Sequence, residues 1–111
     1  MINEKDLKLF ENLLNDAVKL YNFLCQYSYE EVKGNKVLQK AIGFEIIHLV
    51  RDYKKLGGRF AAEFGQMHEI LKDYGSAIEG DIHSADLLDL ASKAKNDLPN
   101  LIKLLKSTMQ K

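Results

Sequence analysis

A chain of 111 residues can close one modest hydrophobic core and not two, so positions 1–111 are expected to form a single domain. Sixteen basic and sixteen acidic residues cancel, and they are interspersed, which leaves no long-range field to gather nucleic acid or an anionic membrane surface. One cysteine excludes an internal disulfide, and neither a cationic leader nor an apolar run of the roughly 20 residues that cross a bilayer is visible; a cytoplasmic protein is the expectation.

The first helix is expected from Lys5 to Ser28, because Leu7, Phe10, Leu13, Ala17, Leu20, Leu24 and Tyr27 recur at helical spacing with no Pro or Gly between them. Leu14, Tyr21 and Cys25 widen the stripe. Cys25 reads as a small core hydrophobe, since its neighbours include no cation that would activate a thiol. Tyr27 and Tyr29 suit a rim where rings are covered and hydroxyls stay wet.

The segment YEEVKGNK is short and charged, with a Gly34-Asn35 turn signal, and reads as an extra connection between helices. A second long helix follows from Lys36 to Leu56. Leu38, Ile42, Ile46, Leu49, Tyr53 and Leu56 alternate at spacings of three and four and form one apolar seam. Gly57-Gly58 would stop it in a left-handed conformation, with Lys54 and Lys55 complementing the last carbonyls. Gly43, inside the helix, costs about 1 kcal/mol relative to Ala and is either tolerated or a place of close approach.

A third helix is expected to run from Arg59 to Glu79 on the seam Phe60, Phe64, Met67, Leu71, Tyr74 and Ile78, weakened by Gly65 and Gly75. Met67 reads as gap-filling core, and His68, one step off the seam, as an ordinary surface imidazole. Gly80-Asp81 breaks the chain, with Asp81 or Ser84 available as an N-cap. The last helix buries Leu87, Leu90, Ala94, Leu98, Leu101, Leu105 and Met109. Pro99 predicts either a kink or a break in which Asp97 caps a new segment. No strand alternation or repeat is present. Four amphipathic segments can hide their seams only against one another, which predicts an all-α, antiparallel up-down four-helix bundle with a short extra connecting segment.

The candidate chemistry centres on His48, about 115° from the centre of its seam by helical arithmetic. Val37, Ala41, Phe44, Glu45, Asp52 and Lys55 are its neighbours on that flank. Glu45 and His48 form a Glu-x-x-His pair of the kind used in di-iron bundles, but those need a second such pair facing inward, and Glu63 and His68 are spaced wrongly for it. Zinc has less support still, and no metal or cofactor is expected. The serines show no nucleophile turn, and no Gly-rich loop follows a strand. Phosphotransfer needs an accessible imidazole with a cation nearby, and Arg51 and Lys55 lie on that flank. Val37, Ala41 and Phe44 offer apolar docking positions.

Phe10, Asp16-Ala17 and Leu20 on the first helix, a central His48 on the next, Gly57-Gly58 at its end, Gly80-Asp81, and Leu87-Leu88-Asp89-Leu90 through Asn96 on the closing helix share an order of parts with one family. In outline the chain resembles a histidine-containing phosphotransfer (HPt) domain, most closely the type at the N-terminus of chemotaxis histidine kinases. Arg51 matches the basic residue three positions after the family's histidine; Asp52 and Tyr53 stand where it has small residues. The resemblance implies two-component signalling with His48 as phosphoacceptor and a response-regulator receiver as protein partner; whether the chain is an enzyme is left open, at most a phosphocarrier. The alternative from the residues alone is a non-catalytic interaction module (adaptor, regulator or immunity-type inhibitor), for which Tyr27, Tyr29, Phe60 and Phe64 near turns are candidate contacts. Both monomer and homodimer remain open.

Overall fold

The computed structural model describes residues 3–79 and 84–110, with the backbone alone at 78, 79 and 84–86. The described residues are all-helical, with no strand, in six helices: α1 (Glu4–Gln26), α2 (Tyr29–Lys33), α3 (Lys36–Lys54), α4 (Ala61–Phe64), α5 (Gln66–Glu79) and α6 (Ser84–Met109). No described helix is long and apolar enough to cross a membrane.

Helix α1 begins where the Asn3 side chain accepts the Asp6 amide at 2.8 Å, and it ends at Gln26, two residues before the expected stop. The reason lies in Ser28, which caps α2 reciprocally with Glu31 and so cannot continue α1. The charged connection is therefore a helical turn of its own, pinned by buried Val32. Its last carbonyls are satisfied by Gln39, whose Nε2 donates to Val32 O at 2.9 Å and Lys33 O at 3.2 Å. Asn35 caps α3 through the Leu38 amide at 3.1 Å.

Gly57 and Gly58 adopt φ of 62° and 78°, and the chain leaves α3 through them. The expected continuous third helix is split. Gly65, at φ 56°, ends α4 after a single turn, and α5 starts at the next residue. Helix α6, in contrast, runs through Pro99 without a break, and Asp97 caps nothing. The Gly80-Asp81 turn and an Asp81 cap lie outside the described residues, as does the Ser84 side chain.

Helix α1 packs on α6 and on α3, α3 also on α5, and α2 bridges α3 and α6. Pairing of Lys19 with Glu45, together with the approach of Asp16 to Asp52, sets α1 antiparallel to α3. Tyr53 with His68, and Val50 with Gly75, set α3 antiparallel to α5. Every member of the α3 seam is buried, as are Phe10, Leu13, Leu20, Leu71, Leu98, Leu101 and Leu105. At one end Phe10 meets the edge of Phe60 at 4.8 Å and stacks with Phe64 at 6.0 Å, while Phe64 meets Tyr53 at 5.1 Å. Phe64 is thus core and Phe60 half-buried, in line with their place on the expected seam, which leaves Phe64 covered as a contact for a partner.

Candidate functional site

Helix α3 turns its seam inward, and the same rotation carries His48 to the surface, where it is exposed past the helix midpoint. Phe44, one turn earlier, is 63% exposed and Val37 is 78% exposed, the two most exposed large hydrophobic side chains of the described residues. Ala41 lies half-buried between them, and Arg51 and Lys55 are exposed on the C-terminal side. The residues singled out around His48 therefore share one flank of one helix.

Beneath that flank runs a line of charge between α1 and α3. Lys19 pairs with Glu45 at 3.3 Å, and Lys55 donates to Asp52 at 3.0 Å. Glu45 is thereby engaged with a cation, and no group of three or more His, Cys, Asp or Glu among the described residues is arranged to hold a metal ion. Asp52 is hydrogen-bonded to Asp16 of α1, which with Lys55 and the nearby His48 keeps its carboxyl below the usual range against the opposing effect of burial. Asp16 goes the other way: burial first, then the hydrogen bond to Asp52 and its charge, then Glu45, push its carboxyl up to about 7, with Lys19 opposing. Asp52 is thus part of a charge network. Tyr53 points into the core, and its hydroxyl is hydrogen-bonded to His68 Nδ1.

That bond corrects the surface reading of His68, which is half-buried. Burial and the Glu69 charge push the Tyr53 phenol up to about 12. Sequence spacing held a faint signal: a histidine one step off an apolar seam can reach a facing tyrosine hydroxyl. Cys25 is also corrected, being exposed rather than core, on the margin of the α1 stripe beside Tyr21. A cavity of about 220 Å³ adjoins the Tyr53–His68 pair, with Lys54, Lys72 and the two glycines of the α3 terminus at its edge. Another of about 260 Å³ opens between Tyr27, Tyr29 and Val32 on one side and Leu88, Ala91 and Lys95 on the other. Tyr29 is 51% exposed at its mouth, in keeping with a rim position.

Set against known families, curated proteins and solved structures, the chain finds no match.

Proposed function

We propose that this protein is an HPt-like helical signalling domain, an up-down four-helix bundle built on α1, α3, α5 and α6, that relays a phosphoryl group through His48 to or from a response-regulator receiver domain. One observation carries the reading: His48 is exposed beyond the middle of α3, one turn from exposed Phe44 and on the flank that ends in Lys55. In the relay a ring nitrogen of His48 forms the N–P bond with its lone pair. The donor's P–O bond breaks, the donor oxygen leaves with the electron pair, and the imidazole proton goes to solvent. Arg51 and Lys55 steady the phosphoryl oxygens, and Val37, Ala41 and Phe44 receive the partner. The partner is a protein, the setting cytoplasmic, and neither nucleic acid nor membrane is required.

A second reading, a docking module without phosphoryl chemistry, is favoured by Asp52. Its carboxylate sits one turn from His48 and already occupies Lys55 at 3.0 Å, so it competes for the cation and repels an incoming phosphoryl group.

Phosphorylation of the purified chain by small acyl-phosphate donors and by phosphorylated receiver domains separates the two. The relay predicts acid-labile label on the wild type and none on His48→Gln. Absence of label from every donor, with a partner still bound by His48→Gln and lost by Phe44→Ala, would establish the docking module instead.

A further inference from the structure

Asp16 of α1 and Asp52 of α3 meet across the packed seam of two antiparallel helices, each only partly open to water. Oδ2 of Asp16 is fully enclosed, and among the described residues it has no hydrogen-bond partner. An ionised carboxylate accepts hydrogen bonds and cannot donate one, so a bond between two carboxyl groups requires a proton on one of them. With both ionised, two negative charges would stand side by side in a partly buried place.

The surrounding charges do not remove the need for that proton. On α1, Lys19 turns to Glu45, which it meets at 3.3 Å. On α3, Glu45 adds negative charge towards Asp16, while Lys55, at 3.0 Å, and His48 act on Asp52. The cations thus serve Glu45 and Asp52, and Asp16 is the group left without one at hydrogen-bonding distance.

We propose that Asp16 and Asp52 hold a single proton between them, and that its loss to solvent loosens the α1–α3 seam beside His48, giving the molecule a built-in pH switch. With the proton in place, Asp16, Asp52 and Lys55 together are neutral; without it they carry one negative charge under the exposed flank. The switch is independent of phosphoryl transfer, since it acts on the seam whether or not His48 is modified.

The direction follows from linkage. The Asp16 carboxyl is raised from an unfolded value of 3.8 to about 7, so between those values the folded chain binds more protons than the unfolded one. Stability therefore falls as pH rises through that window and levels off above it. Asp52, shifted down, contributes in the opposite sense only below its unfolded value of 3.8. His48 also acts on Asp52, so the histidine needs its own control.

The test is carbon-13 NMR of the aspartate carboxyls from pH 3 to 9, with thermal unfolding at pH 5 and pH 8, on the wild type, Asp16→Asn, Asp52→Asn and His48→Gln. In the wild type and His48→Gln one aspartate signal titrates with a midpoint near 7; in Asp52→Asn that step is gone. The wild-type Tm drops from pH 5 to pH 8. In Asp16→Asn, whose amide donates to Asp52 with no proton to lose, the drop shrinks to less than about half, as expected when one linked group supplies most of it. Both aspartates finishing their titration below pH 5 in the wild type, or an equal Tm drop in Asp16→Asn, would overturn the proposal. Should Asp16→Asn fail to fold, the NMR titration of the wild type against Asp52→Asn decides alone.

Discussion

The hydroxyl of Tyr74 on α5 donates to the Asp97 carboxylate on α6 at 2.5 Å, two residues before Pro99. Proline has no N–H, so the carbonyl of Lys95 loses its helical donor at this turn, yet α6 continues. The bond ties α6 to α5 where its own ladder is thinnest. Burial, then the Asp97 bond and charge, push the Tyr74 phenol well above its usual value, so the donor stays protonated throughout the physiological range. Tyr74→Phe should cost about 1.5–3 kcal/mol, the range for a hydrogen bond to a charged group. Urea unfolding reads it; a loss below about 0.5 kcal/mol, the level of a neutral surface change, would make the bond incidental.

The two glycines within α3 and α5 should respond differently to alanine. At Gly43 a Cβ would meet only the Leu87 side chain, at 3.9 Å, an ordinary contact with no backbone approach. Gly43→Ala should therefore stabilise by about 0.5–1 kcal/mol, the helix-propensity gain. At Gly75 a Cβ would stand 3.1 Å from Val50 Cγ1, so Gly75→Ala should lose most or all of that gain. Paired thermal melts of the two variants check the contrast.

Arg59 closes the α3 exit onto the start of α1. Its Nη1 meets Asp6 Oδ1 at 2.7 Å and its Nε donates to Leu56 O at 2.9 Å, with Asp6 only 5% exposed. Arg59→Gln leaves a covered carboxylate without its cation and should cost about 2 kcal/mol, below the 3–5 of a fully buried pair because the arginine is half in solvent. Denaturant midpoints of Arg59→Gln and Arg59→Lys measure it, the lysine recovering part of the loss.

Phe44→Ala and Val37→Ala should leave stability within about 0.5 kcal/mol, because both side chains are exposed. The same changes should weaken partner binding by roughly tenfold or more if the α3 flank is the docking face. Calorimetric titration with a captured partner reads the second effect and a thermal melt the first.

Where local period decides, sequence suffices. All of Leu38, Ile42, Ile46, Leu49, Tyr53 and Leu56 are buried, since one helical repeat places them on one face, and that same repeat carries His48 outward. Gly57-Gly58 mark where the chain turns away beyond α3, since only glycine adopts their φ values at no cost, although the helix itself ends at Lys54, two residues before the expected Leu56. Where the outcome depends on what another helix brings, sequence falls short. Cys25 lies on the margin of the α1 stripe, and its exposure depends on how far α6 reaches around. Phe60 and Phe64 fall on a legible seam, but nothing local names Phe10 as the ring they meet. Asp16 lies 36 positions before Asp52, and nothing local marks either acid as the other's partner. The same holds for Tyr53 and His68.

The contact between α1 and α6 has a consequence for how the chain reaches its native state. The first and last helices are core partners, so Phe10, Leu13 and Leu20 lack their final cover until α6 has been synthesised and has returned across the whole domain. Local helices can form early, but this closure joins distant positions and pays its loop entropy late. On the ribosome, a chain that has emerged only as far as α5 would display the apolar stripe of α1 to chaperones, and release of the last helix would be the event that ends that exposure.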